Sequence, residues 1–182
     1  MGLVLTISGL HGTGKSTYAE RLAAEFGLRH VSAGELFREI ARKRGLTLQD
    51  LSLEASERME LDRLVDDRTR EEARKGGVVI DALLGAWMVR DLADLKFLLL
   101  APDDVRIGRI AQRDAVSIKD ARRETLYRED LERRRFKSFY DIDMSDLSIY
   151  DLILNTGLLS LEGNMQVLES FVKSYIRERG VR

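Results

Sequence analysis

The sequence predicts an α/β domain, with a central parallel sheet of about five strands flanked by helices on both faces. Three observations predict it. Short apolar runs alternate with amphipathic helical stretches along the chain, and glycines or a proline punctuate most of the boundaries. At 182 residues, 44% of them hydrophobic, the chain has material for one buried core and little else. In such sheets ligands bind beyond the carboxyl ends of the strands.

Leu3-Val4-Leu5-Thr6-Ile7 reads as a buried strand running into the glycine-rich stretch Gly9 to Gly14. A helix follows, with Tyr18, Ala19, Leu22, Ala23 and Phe26 at helical spacing and Gly27 ending it before a second strand around Leu28 to Val31. Ser32-Ala33-Gly34-Glu35 opens the next helix. Ser32 with Glu35 is a capping-box pair, Leu36, Phe37, Ile40 and Ala41 form one face, and Gly45 closes the helix. Leu48 to Lys75 is helical in pattern up to Gly76-Gly77. Val78-Val79-Ile80 and Phe97 to Leu100 have the continuous apolar character of strands covered on both faces. Pro102 ends the second. Asp103 to Arg113 and Asp120 to Tyr140 are charged helices, and a last strand, Leu152 to Leu154, leads through Asn155-Thr156-Gly157 to a closing helix after Leu161.

Composition removes whole classes of chemistry. There is no cysteine, which excludes disulfide scaffolds, thiol nucleophiles and cysteine metal sites. Met1 to Gly9 lacks both the basic lead of a secretory signal and the ~20 apolar residues of a membrane span, so the reading is cytoplasmic, with no membrane partner. Thirty basic against 31 acidic side chains leave a formal charge of −1, which argues against bulk attraction to nucleic acid. The balance conceals an asymmetry. Arg106 to Lys137 holds eleven Lys/Arg and six Asp/Glu, whereas Ser138 to Val172 holds six acids and no base. Tyr127, Phe136, Phe139 and Tyr140 within and beside the basic stretch read as core rather than as a base-stacking platform.

The strongest motif is Gly9-Leu10-His11-Gly12-Thr13-Gly14-Lys15-Ser16, extended by Thr17. It has the P-loop spacing and the position between strand and helix that the chemistry requires. The backbone must curl round a phosphate with its N–H groups inward, and side chains would obstruct that approach. Lys15 supplies a point charge to the β and γ phosphates of a nucleotide, and Ser16 offers a hydroxyl to Mg²⁺. His11 is the odd residue of the loop: it either touches the nucleotide with the rest of the motif or is a variable position facing solvent, the plainer reading. Asp81, at the carboxyl end of the third strand, is placed to hold Mg²⁺ with Ser16 or to cap the next segment. Asp62 lies on the Leu48 to Lys75 helical stretch, either toward a bound base or ribose or on a solvated face.

Taken with SAGELFR (Ser32 to Arg38) and the absence of a guanine-reading Asn-Lys-x-Asp stretch, the loop resembles that of the nucleoside-monophosphate kinases. The resemblance is closer to the archaeal-type cytidylate kinases, through "ISG" and "GKST" about the loop, "VSAGELFRE", "GAWM", "RIAQRD", "YREDLERRRF" and "DLSIYDLILNT". It implies a P-loop kinase fold, ATP as phosphoryl donor, Mg²⁺, and CMP or dCMP as acceptor. It also implies a division into a core (1–31, 76–112 and 141–182), an acceptor-binding helical region (32–75) and a lid (113–140). A kinase that joins two polyanions rests on cations and positioning rather than on a nucleophilic side chain. Arg109, Arg113, Arg128, Arg133, Arg134 and Arg135 fall in the basic stretch, with Glu124, Glu129 and Glu132 as their alternative ion-pair partners. Family members carry arginines at the positions of Arg113, Arg128 and Arg135, which join Lys15 as catalytic candidates.

By the same resemblance Arg38 sits where the acceptor monophosphate is held, with Ser32 and Gly34 beside it. One departure stands out. Many monophosphate kinases place a Gly-Arg pair after the third strand, and here the chain reads Asp81-Ala82-Leu83-Leu84. Leu83 cannot bind phosphate, so either Arg38 or a lid arginine takes over or the acceptor is gripped less tightly than in relatives. The alternatives are a kinase of the same fold acting on AMP, UMP or a small alcohol, and a non-catalytic nucleotide switch. A monomer is expected, with small-molecule nucleotides as its only partners.

Overall fold

The computed structural model describes residues 2–180. Among them are five strands and eight helices in the order β1 (Val4–Ser8), α1 (Lys15–Phe26), β2 (Arg29–Ser32), α2 (Ala33–Arg44), α3 (Leu48–Glu57), α4 (Met59–Lys75), β3 (Val78–Asp81), α5 (Gly85–Met88), β4 (Leu95–Leu100), α6 (Asp103–Asp114), α7 (Ile118–Tyr140), β5 (Leu152–Asn155) and α8 (Leu161–Arg179). The strands form one sheet in the order β2-β3-β1-β4-β5, and every adjacent pair is parallel. β1 lies at the centre with all five residues buried, which is why it carries the branched apolar run. The chain crosses from β1 to β2, returns to β3 and continues to β4 on the other side. That reversal leaves a crevice beyond the carboxyl end of β1.

The main core gathers Leu5, Ile7, Leu22, Phe97, Leu99 and Leu168 between the sheet, α1 and α8. A separate cluster joins Phe37 and Ala41 of α2 to Leu51 and Ala55 of α3 and Leu61 and Val65 of α4. This second cluster explains the largest difference from the expected elements. The stretch from Leu48 to Lys75 is two helices, broken at Arg58, whose backbone is extended (φ −132, ψ 105). Leu51/Ala55 and Leu61/Val65 are each one turn apart, but the step from Ala55 to Leu61 is out of phase with a 3.6-residue repeat. A single straight helix could not bury both pairs against α2. Breaking at Arg58 brings both onto it.

Helix ends follow the local chemistry. Gly27 and Gly45 adopt left-handed backbones and cap α1 and α2. Ser32 caps α2 by accepting the Glu35 N–H at 3.3 Å. The reciprocal half of that box is not made, because Glu35 turns its carboxylate to Arg38 and Arg42 instead. A complete capping box opens α3, between Thr47 and Asp50. No described helix is long and apolar enough to cross a membrane.

Candidate active site

The glycine loop leaves β1 and enters α1 at Lys15. Gly12 has φ +79, and a Cβ there would meet the Arg106 carbonyl oxygen at 2.5 Å; at Gly9, φ +147, it would collide with the Leu99 carbonyl. Only glycine permits that approach. Gly14 precedes α1 without a side-chain cap, and the first turn of α1 has no acid, so its leading N–H groups and positive dipole end are left for an anion. Thr13 ties the loop together through its hydroxyl to the Leu10 carbonyl (2.8 Å), and Lys15 Nζ donates to the same oxygen (3.1 Å). Loss of water round the Lys15 ammonium lowers its pKa, against the opposing pull of Asp81 and Glu132.

The loop opens into a cleft of about 980 Å³. His11, Gly12, Gly14, Lys15, Ser16 and Thr17 line it, and so do Ser32, Gly34, Arg38, Asp62, Asp81, Arg113, Arg128 and Arg135. Gly9, Leu10 and Thr13 lie behind the lining and shape the loop. The cleft is therefore built from the carboxyl ends of β1, β2 and β3 and from the faces of α2, α4, α6 and α7.

Asp81 ends β3 beside the start of α1. Its carboxylate accepts from Ser16 Oγ at 2.5 Å and from Ser32 Oγ at 3.1 Å, with His30 Nε2 at 3.9 Å. A hydroxyl and a carboxylate in contact form the all-oxygen donor pair that suits Mg²⁺, so Ser16 and Asp81 fit that ion. At the start of α2 Arg38 is half-exposed and held by Glu35 through Nε (3.0 Å) and Nη2 (2.8 Å). A Cβ on Gly34 would find only ordinary contacts, 3.6 Å from Arg38 and 3.7 Å from Ser32, so protein packing does not demand glycine there. Asp62, Val65, Asp66 and Thr69 present one face of α4 to the cleft. Burial raises the carboxyls of Asp62 and Asp66 to about 6, despite Arg135 beside the first and the Tyr140 hydroxyl on the second. Leu83 lines the cleft and packs with Leu84 and Phe136, so the segment after β3 presents an apolar wall.

The arginines of the basic stretch divide by position. Arg106, only 2% exposed, is structural: it pairs with Glu129 (2.7 Å) and Asp103 (2.5 Å) and donates to the His11 carbonyl at 2.7 Å. Arg109 lines the cleft and clips the loop, reaching the Gly12 carbonyl and the hydroxyl and carbonyl of Thr156. Thr156, from the "LILNT" stretch, adds its own bond to the Thr13 carbonyl at 2.9 Å. Arg113, paired with Asp114, is exposed at the rim. Arg128 and Arg135 face inward from α7, on Glu132 and Asp62 respectively. Arg133 and Arg134 point to solvent, as does Tyr127, which is 43% exposed and not core.

His11 also departs from expectation. It does not face solvent: Nε2 lies 2.8 Å from Glu132, and its backbone N–H goes to Glu129 at 3.1 Å. Nothing local to the loop signals partners 118 and 121 positions away. Asp66 and Thr156 carried no role in the sequence reading, and for Asp66 the one available signal was its place one turn beyond Asp62 on the same helix face.

The sheet order, the glycine loop and the basic cleft define a P-loop kinase fold. Shikimate kinase from Bacteroides thetaiotaomicron shares it at a TM-score of 0.62, with 16% identity and coverage of 94% of this chain and 98% of that one. The model of the cytidylate kinase-like family matches residues 4–158, and the chain belongs to that family. The cytidylate kinase of Staphylothermus marinus is 46% identical over 176 residues, covering 97% of this chain and 99% of the relative. That of Aeropyrum pernix is 47% identical over 162 residues, covering 89% and 94%.

Proposed function

We propose that this protein is a phosphotransferase that moves the γ-phosphoryl group of ATP to CMP and dCMP, giving ADP and CDP or dCDP. The observation that carries the reading is the single cleft in which the phosphate loop, the start of α2, the inner face of α4 and the arginines of α6 and α7 converge. Full-length similarity to proteins named cytidylate kinase supports the choice of acceptor.

The glycine loop and the first turn of α1 hold the donor phosphates, with Lys15 reaching the β and γ groups. Arg113, Arg128 and Arg135 face the transferring phosphoryl group and offset the charge that spreads over its oxygens in the transition state. Arg38, with Ser32 and Gly34 at the start of α2, grips the acceptor's phosphate in place of the arginine that Leu83 displaces. Asp62 faces the base or ribose. Ser16 and Asp81 would hold Mg²⁺, which would supply positive charge to offset that of the donor's phosphates. Residues 32–75 act as the acceptor-binding region and 113–140 as a lid whose closure excludes the water that would otherwise hydrolyse ATP. One chain supplies every wall of the cleft, in keeping with a monomer at work in the cytoplasm.

The test is a panel of CMP, dCMP, UMP, AMP and GMP, each with ATP and Mg²⁺, with ADP formation read continuously. CMP and dCMP should be turned over best. A preference for AMP or UMP would replace the acceptor and keep the mechanism, and no monophosphate-dependent ADP at all would point to a nucleotide switch.

A further inference from the structure

A cleft suited to two polyanions contains a buried carboxylate. Glu132 is 5% exposed, lines the cleft, and lies 2.8 Å from His11 Nε2 and 3.1 Å from Arg128 Nε. Burial alone would raise its pKa, yet His11, Arg128 and Arg135 together hold it down at about 2, so it stays ionised at neutral pH. Facing incoming phosphates, a fixed negative charge opposes binding, and its presence requires another role.

The role lies with the groups round it. Lys15, Arg128 and Arg135 converge on the cleft with the His11 ring beside them, and without an anion among them the long cationic side chains would repel one another outward. One fixed carboxylate offsets that repulsion and holds two of the groups in set positions, which is what an electrostatically preorganised site needs. The hold extends to the loop itself. His11 is gripped at three points: its ring by Glu132, its N–H by Glu129 at 3.1 Å, and its carbonyl by Arg106, which also pairs with Glu129. We propose that Glu132 is a positioning residue for phosphoryl transfer, acting through His11 and Arg128 to hold the phosphate loop and a lid arginine where the donor's phosphates lie. This rests on the kinase reading above.

Glu132→Gln keeps the shape and removes the charge. Its affinity for a non-hydrolysable ATP analogue, by calorimetry, should fall roughly tenfold while that for CMP stays within about twofold. In turnover kcat/KM for ATP should drop while the KM for CMP stays within about twofold of wild type. His11→Ala, at a half-buried position that cannot unfold the core, should reproduce the loss on the ATP side and add little to Glu132→Gln in the double variant. Should Glu132→Gln fail to fold, His11→Ala decides alone. ATP binding and turnover near wild type in both variants would overturn the inference, as would equal losses for ATP and CMP. Absence of turnover by the wild type defeats the kinase reading instead, and the binding measurements still decide the role of Glu132.

Discussion

Arg135 Nε lies 2.8 Å from the Asp62 carboxylate, with the two side chains only 4% and 9% exposed. The pair joins α7, which carries Arg128 and Glu132 on the cleft, to α4, whose Val65, Asp66 and Thr69 also line it. Burying two charges costs solvation, and the contact returns it only while both partners are present.

Removing one partner should therefore be severe. Arg135→Ala leaves the Asp62 carboxylate buried and unpaired, and stability should fall by about 3–5 kcal/mol. The decrease is read as a lower urea midpoint at pH 7. Asp62→Asn/Arg135→Met, which removes both charges, should recover most of it; a double variant as unstable as the single one would show that the ion pair is not what holds α7 to α4.

Asp66 makes a pH prediction. Its folded pKa of about 6 lies above the usual 3.8, so between about pH 4 and 6 the native state retains a proton that the unfolded chain has released. Stability from this group is present at low pH and is lost as pH rises through that window. Asp66→Asn keeps an acceptor for the Tyr140 hydroxyl and does not titrate. Relative to wild type it should gain up to about 3 kcal/mol between pH 4 and 7. Denaturation curves at several pH values check this, and a constant difference would refute it.

Arg38 is half-exposed and its partner Glu35 lies on the same helix, so Arg38→Ala should fold normally. The KM for the monophosphate should rise much more than that for ATP. An effect confined to ATP would place Arg38 with the donor.

Lys15→Ala removes one hydrogen bond to the Leu10 carbonyl and little packing. Circular dichroism should be unchanged while phosphoryl transfer falls by several orders of magnitude. Near-normal turnover would reject the loop as the donor site.

Legibility varied along the chain for physical reasons. The strands were readable because a sheet covered on both faces needs continuous branched apolar runs, and Val78 to Asp81 and Leu95 to Leu100 have them. α5, Gly85–Met88, left no signal because four residues are too few for a period. The break at Arg58 was hidden since Arg58 is itself a good helix former; the out-of-phase step from Ala55 to Leu61 was the clue.

What the sequence alone determined is the phosphate loop and the sheet that presents it. Both rest on contiguous residues, where glycine geometry and hydrophobic period act locally. Only the tertiary structure decided which of the 23 arginines face the cleft. α7 is charged round most of its circumference, and periodicity cannot choose a face when every face is polar. Asp62, Glu132 and the loop at His11, brought alongside by packing, turn Arg128 and Arg135 inward and leave Arg133 and Arg134 in water.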